Sequence, residues 1–392
     1  MFESIYVGLS GLIGFSKGLN VLSNNVANLN TPGYKRSQLQ FLDLYYQLKS
    51  SGGESFAQIG NGVDTGATSL DTSQGDLRQT GNDLDLAIEG TGFFVLRNNG
   101  ETLYTRAGQF EFDANGFLVE RSNQARVAAL SGSSSLRDIN INGLRTNPAK
   151  ATSSITFNGN LSSSDTQHVI SNTSIFDALG GAHNLTLTFD NNSSNVAGSW
   201  NVTVNDETGT VATGQILFAN GAPVAGSNSI SFSYAPAGVS ATPITLNFAQ
   251  DVTSFSAGND STLAVNIQDG FAAGALTRAT FDADGFLTLT YSNNQTSKRD
   301  QIALASFESI NELELIGGNT FSNKSGQTPL IGRPNQSLFG NLTAGSIELS
   351  NVDLTQQFSD LIITQRGYQA SSQVISTANE MIQQLLDIKG RR

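Results

Sequence analysis

Two hydrophobic periods divide this chain between them. Near the N-terminus Ile5, Leu12, Leu19 and Val26 recur every seven residues, with Phe15, Leu22 and Leu29 in a second row three residues on. That is a heptad seam, the mark of a helix with one apolar edge. Asn30-Thr31-Pro32-Gly33 ends it, because proline cannot continue the helix and glycine tolerates the turn. A helix over 4–29 would be roughly 39 Å long. At the other end Leu354, Leu361, Tyr368, Ile375 and Ile382 repeat the seven-residue spacing, flanked by Phe358, Ala378 and Leu385. Ser350-Asn351-Val352-Asp353 supplies N-cap oxygens for a helix over 353–388, roughly 53 Å long. One such seam would suit a helix packed on its own domain. Two, at opposite ends of a different middle, predict a terminal helical pair.

That middle, from about 80 to 345, has period two. Residues 184–189 (NLTLTF), 200–204 (WNVTV), 242–248 (TPITLNF) and 286–291 (FLTLTY) alternate apolar and polar positions. Asn99-Gly100, Asn115-Gly116, Asn220-Gly221 and Asp284-Gly285 punctuate them as turns. One segment echoes another: 112–118 reads FDANGFL and 281–287 reads FDADGFL. The EF-hand ligand spacing is not met, so both read as structural hairpins. Their separation predicts one domain interrupted by an insertion. The expected fold is mainly β with long terminal α-helices, in discontinuous nested domains. The terminal helical pair takes 1–35 and 352–392, and an extended connecting region takes 36–78 and 336–351. An inner β domain takes 79–150 and 271–335, and an inserted outer β domain takes 151–270.

Glycine changes the picture of the first helix. Gly8, Gly11, Gly14 and Gly18 each cost about 0.8–1 kcal/mol of helix propensity relative to Ala. On a helical wheel Gly11, Gly14 and Gly18 fall together beside the apolar stripe, where another helix could approach closely. The expectation is a segment disordered in the free subunit and helical only within an assembly.

Composition removes several function classes. With 38% hydrophobic residues and 23 Phe among 392, the chain can build real cores; only 14% of it is charged. Its net charge of −12 lacks the footprint of a nucleic-acid binder and disfavours anionic lipid. No cysteine is present, which excludes disulfides, zinc-thiolate sites and cysteine nucleophiles. Glu3 stands where a signal peptide would be basic, and glycines interrupt any apolar core there, so no cleaved signal and no membrane insertion are expected. Only His168 and His183 are available for histidine chemistry, and each reads as a surface residue. Gly90-Thr91-Gly92 lacks the rest of a dinucleotide fingerprint and reads as a turn. The chain is expected not to be an enzyme, with no catalytic residue, cofactor or metal.

Several segments carry a resemblance. Residues 23–36 (SNNVANLNTPGYKR) resemble the signature of flagellar rod and hook proteins, through Asn24, Asn25, Ala27, Asn28, Thr31, Gly33, Tyr34 and Lys35. Residues 80–94 (TGNDLDLAIEGTGFF) look like that family's second block, and 348–354 (ELSNVDL) and 365–370 (QRGYQA) like its C-terminal block. The size of the insertion, 176–189 (FDALGGAHNLTLTF), 289–292 (LTYS) and 301–307 (QIALASF) resemble the hook branch. The opening Met-Phe-Glu-Ser-Ile-Tyr and residues 41–46 (FLDLYY) look more rod-like, so a distal-rod role stays open. A β-rich surface adhesin is the alternative of another class, though it would leave the two terminal seams unexplained.

The resemblance implies a subunit that polymerises through its end helices into a curved hollow tube, a universal joint between rod and filament. It implies export through the flagellar apparatus, and contacts with rod, hook-filament junction and hook-cap proteins. The assembly residues it implies are the N-terminal motif above and an N-terminal seam of Ile5, Leu12, Phe15, Leu19, Leu22 and Val26. The C-terminal set is Asn351, Val352, Asp353, Leu354, Leu361, Gln365, Arg366, Tyr368, Ile375 and Ile382. Arg366, with its planar fork, is the stronger candidate of the mid-helix pair for a subunit contact.

Overall fold

The computed structural model describes residues 2–44, 46–50, 56–132, 135–258, 260–309, 313–324, 326, 328–336 and 338–390. Tyr45, in the rod-like segment, lies outside them. Two long helices stand at the ends, α1 over Phe2–Ala27 and α2 over Leu354–Gly390, with strands between. At about 1.5 Å per residue they are roughly 39 and 55 Å long. The chain divides into two compact units, one of residues 1–142, 279–288 and 298–392, the other of 143–278 and 289–297.

In the first unit α1 and α2 run antiparallel: Gly8 lies beside Ile375, Gly18 beside Thr364, and Asn25 bonds Gln357. Strands Ser37–Asp43 and Val63–Leu70 form an antiparallel ribbon that packs on α1, with Phe41 against Phe15 at 5.7 Å between ring centroids. The unit's main sheet is ten-stranded, with Phe93–Asn98 central between Glu101–Thr105 and Arg126–Ser131. Phe93, Val95, Tyr104, Ala128, Ala305 and Phe321 form its core. Two short pairings bring the C-terminal part of the chain back: Asn341–Ala344 beside Leu86–Glu89, and Ser346–Glu348 beside Leu77–Gln79.

The second unit is a β-sandwich. One antiparallel sheet takes Gln167–Phe176, Ala182–Asn191, Ser199–Asp206 and Gly209–Ala219, edged by Ala222–Pro223. The other centres on Ser154–Asn160, which pairs parallel with Thr242–Asn247 and antiparallel with Ala264–Gln268. The period-two pattern is why this works: Leu185, Leu187 and Phe189 point inward from one strand, and Trp200, Val202 and Val204 from the next. Phe157 stacks on Phe248 at 4.5 Å in the middle of that core.

One turn recurs three times. In Phe112-Asp113-Ala114-Asn115-Gly116, the Asp113 amide donates to the Phe117 carbonyl, and Gly116 donates back to the Asp113 carbonyl. The Asp113 carboxylate accepts from the Phe117 amide at 2.8 Å. Asp282 does the same with Gly285 and Phe286. Asp177 does it with Gly180 and Gly181, in Phe176-Asp177-Ala178-Leu179-Gly180. The fifth residue has φ between +80° and +86° in all three, which glycine alone adopts freely. The Asp-x-x-Gly turn and the FDAxGF echo are therefore one device.

Carboxylates secure the second unit. Burial opposes the charge on Asp269, but hydrogen bonds from Ser153 and Ser154 and the Lys150 ammonium at 3.0 Å outweigh it, holding the carboxyl well below the usual range. The hydrogen bond with His183 does the same for Asp177. A folded-state pKa below the unfolded one gives stability that is fully present above the unfolded value and is lost progressively as pH falls from there through the folded value. Trp200 is the sole tryptophan and fully buried in this unit, so its fluorescence reports on it. The urea midpoint read from Trp200 is expected to drop as pH falls from about 6 to about 3. Asp269→Asn should flatten that drop; an unchanged pH slope in the variant would refute the assignment.

Candidate assembly site

The N-terminal motif residues converge on the place where both chain ends enter the first unit. Asn25, in the last turn of α1, is almost fully buried with all its side-chain capacity used. Its Nδ2 donates to the Ser37 carbonyl at 2.8 Å and to Gln357 Oε1 on α2 at 2.9 Å. Its Oδ1 accepts from the Ser37 amide and from the Tyr34 hydroxyl. Asn24 donates to that same hydroxyl, and burial pushes the Tyr34 phenol up. Asn28 Nδ2 satisfies the Asn24 carbonyl at the helix end, and Thr31 Oγ1 donates to Asn28 Oδ1. Ala27 is exposed at the end of α1.

Gly33 has φ +69°, and a Cβ there would lie 2.5 Å from the Arg106 carbonyl carbon. Only glycine permits this approach, which lets the Gly33 amide donate to the Glu348 carbonyl at 2.8 Å. Two residues on, Lys35 Nζ meets Glu348 Oε1 at 2.6 Å and donates to the Ser73 carbonyl. Glu348 Oε2 accepts from Arg106 Nη1 at 3.1 Å, and Oε1 accepts from the Gly75 amide. All three charged side chains are buried. Burial lowers the Lys35 ammonium and the Arg106 guanidinium, each against the opposing pull of Glu348.

Asn351 continues the network. Its Oδ1 accepts from the Arg36 amide, and its Nδ2 reaches the Asp71 and Ser73 carbonyls. Val352 is buried. Asp353 caps α2, its Oδ1 accepting from the Thr355 and Gln356 amides.

Along the helices, Ile5, Leu12, Phe15, Leu19, Leu22 and Val26 are half-buried on the covered side of α1. Gly8, Gly11, Gly14 and Gly18 lie deeper, fully buried. A Cβ at Gly8 or Gly11 would press on Ile375 or Ser371 of α2; at Gly14 or Gly18 it would meet Phe41 of the ribbon. Close approach is thus used within one chain. Gly367 on α2 plays the reciprocal part, since a Cβ there would stand 2.6 Å from the Phe15 ring. On α2 the covered row is Gln357, Leu361, Thr364, Tyr368, Ser371, Ile375, Ala378 and Ile382, alternating four and three residues apart. Leu354, at the head of the predicted row, is exposed, as are Gln365 and Arg366. Gln357, Thr364 and Ser371 of that row are polar and gave no hydrophobic signal.

The outer faces of the pair carry large apolar side chains. Tyr6 (71% exposed), Leu9 and Ile13 stand on α1; Phe358, Ile362, Ile363 (67%), Leu385 and Leu386 on α2. By length and composition α1 could also cross a bilayer. No group of three or more His, Cys, Asp or Glu placed to hold a metal occurs among the described residues. His168 Nε2 lies 2.8 Å from the Leu263 carbonyl, and His183 Nε2 lies 2.9 Å from Asp177 Oδ2.

Comparison with known proteins agrees with this architecture. Three family models match: "Flagella basal body rod protein" over 5–35, "Flagellar hook protein FlgE/F/G D1 domain" over 87–163, and "Flagellar basal body rod FlgEFG protein C-terminal" over 343–388. The chain is 30% identical to the flagellar hook protein FlgE of Treponema pallidum, over 99% of this chain and 100% of the relative. It is 29% identical to the Escherichia coli hook protein over 97% and 98%. A rod protein, FlgG of Bacillus subtilis, matches at 25% over 99% and 100%. In fold it is similar to the crystal structure of Helicobacter pylori FlgE2, with TM-score 0.50 and 13% identity over 68% of this chain and 98% of the other.

Gly33→Ala should destabilise the first unit by roughly 1–3 kcal/mol, through positive φ and the backbone clash. Glu348→Gln should cost about 3–5 kcal/mol, because two buried cations lose their carboxylate. Thermal unfolding followed at 222 nm checks both, and a loss below about 0.5 kcal/mol in either would contradict the hub.

Proposed function

This chain belongs to the flagellar hook protein family and is a structural subunit of the flagellum; from that premise we propose how its ends build the tube. The observation that supports the reading is the outer apolar face of the helical pair. Its inner faces are occupied by each other and by the ribbon, so the outer ones need a partner to leave water. Copies related by a rotation and a rise meet through heterologous contacts that never close, and a tube results. The seam residues set the pair, while Tyr6, Ile13, Phe358 and Ile363 bury against neighbouring copies. The same apolarity that gives α1 the length and composition of a membrane span serves here to bind protein.

The remaining roles follow from this reading. Its role is structural rather than enzymatic, as the family's is, and His183 serves to hold the Asp177 turn. It leaves the cell through the flagellar export apparatus. Rod, hook-filament junction and hook-cap proteins meet the ends of the tube. The β-sandwich bends the hook, since polar, low-charge surfaces permit neighbours to slide.

Ile362→Ser/Ile363→Ser should leave the monomer's melting temperature within about 2 °C, because both side chains are exposed. Seeded sedimentation should show that this variant fails to enter tubes; wild-type polymerisation yield would refute the outer-face contact. Removing residues 151–270 should yield hooks that no longer curve or bend. Unchanged curvature under the electron microscope would refute the sandwich's role.

A further inference from the structure

A cavity of about 120 Å³ lies against the buried hub, lined by Lys35, Arg106, Thr91, Phe93, Phe307 and Phe321. It has room for several waters. Three observations there point the same way. Arg106 is 5% exposed, and its Nε is buried with no hydrogen-bond partner among the described residues. Its other nitrogens are taken: Nη1 by Glu348 and the Ile88 carbonyl, Nη2 by the Gly90 carbonyl. The charges do not balance. Lys35 and Arg106 bring two positive charges, Glu348 is the carboxylate both contact, and nearby Asp71 is paired with Arg36 at 2.7 Å.

We propose that this cavity is a binding site for one small monovalent anion, of the size and charge of a halide or acetate. A water could accept from Nε, but it would leave a buried positive charge uncompensated, at a cost of several kcal/mol. An anion answers both needs. A single negative charge neutralises the hub, whereas a doubly charged ion would overshoot. The apolar walls suit the methyl of acetate, and Arg106 also lies over the Phe93 ring, 5.6 Å from its centroid. Burial, the largest influence on both, lowers Lys35 and Arg106 against the pull of Glu348.

The test uses the full-length monomer and saturation-transfer NMR on the acetate methyl, with bromide as competitor. Wild type should give a saturable signal that bromide displaces. Arg106→Lys keeps the charge but removes Nε, and Phe307→Trp fills the cavity without touching a charge. Each should raise the half-saturating acetate concentration at least about tenfold, the loss of one charged hydrogen bond. Far-UV circular dichroism identifies a variant that has not folded, and the other variant with wild type then decides. No saturable signal in wild type, or equal affinity in the folded variants, would overturn the proposal.

Discussion

Everything distinctive about this molecule depends on how its two ends are tied together. Asn25 near the end of α1 and Gln357 near the start of α2 are 332 residues apart in sequence and bonded at 2.9 Å. A few residues away, Glu348 gathers Lys35 and Arg106 into a buried ionic hub. A buried polar network of this kind costs desolvation and stabilises little beyond a packed apolar core, yet it tolerates few alternative arrangements. Here it fixes the register of the antiparallel helices. Gly8 and Gly11 then let α1 settle onto α2, and Gly367 admits Phe15. With the inner faces matched inside one chain, the outer apolar faces, with Tyr6 and Ile363 among them, stay exposed.

The two units differ in how they are held. The sandwich buries Trp200, Phe157, Phe189 and Phe248 in one continuous core. Its turns and strands are held by carboxylates that accept backbone amides. The helical pair keeps Tyr6, Ile363 and Leu386 in water. Few buried contacts per residue place such an element at the low end of local stability. α1 is nonetheless helical and packed on α2 within the single chain.

Much of this was legible in the sequence. The heptad rows located both helices to within about two residues, because apolar spacing reports directly on helical faces. Period-two alternation located the sandwich strands for the same reason. What stayed hidden was the chemistry of long-range contacts. The row of α2 that faces α1 includes Gln357, Thr364, Ser371 and Ala378, whose burial depends on partners elsewhere in the chain. Leu354 continues the seven-residue spacing and is nonetheless exposed, since α2 begins there. Glu348, Arg106 and Lys35 are scattered over more than 300 positions, and no local pattern joins them. The glycines of α1 could be read for close approach, but not for which surface approaches.

On the proposed assembly, register set by the Asn25–Gln357 and Glu348 contacts turns the apolar outer faces toward neighbouring copies. A helical reconstruction of the assembled tube by electron cryomicroscopy tests it most directly. Asn25 should still be bonded to Gln357 within each subunit, with Tyr6 and Ile363 buried by adjacent ones. Helices re-paired between subunits, or those two side chains left facing solvent in the tube, would contradict it.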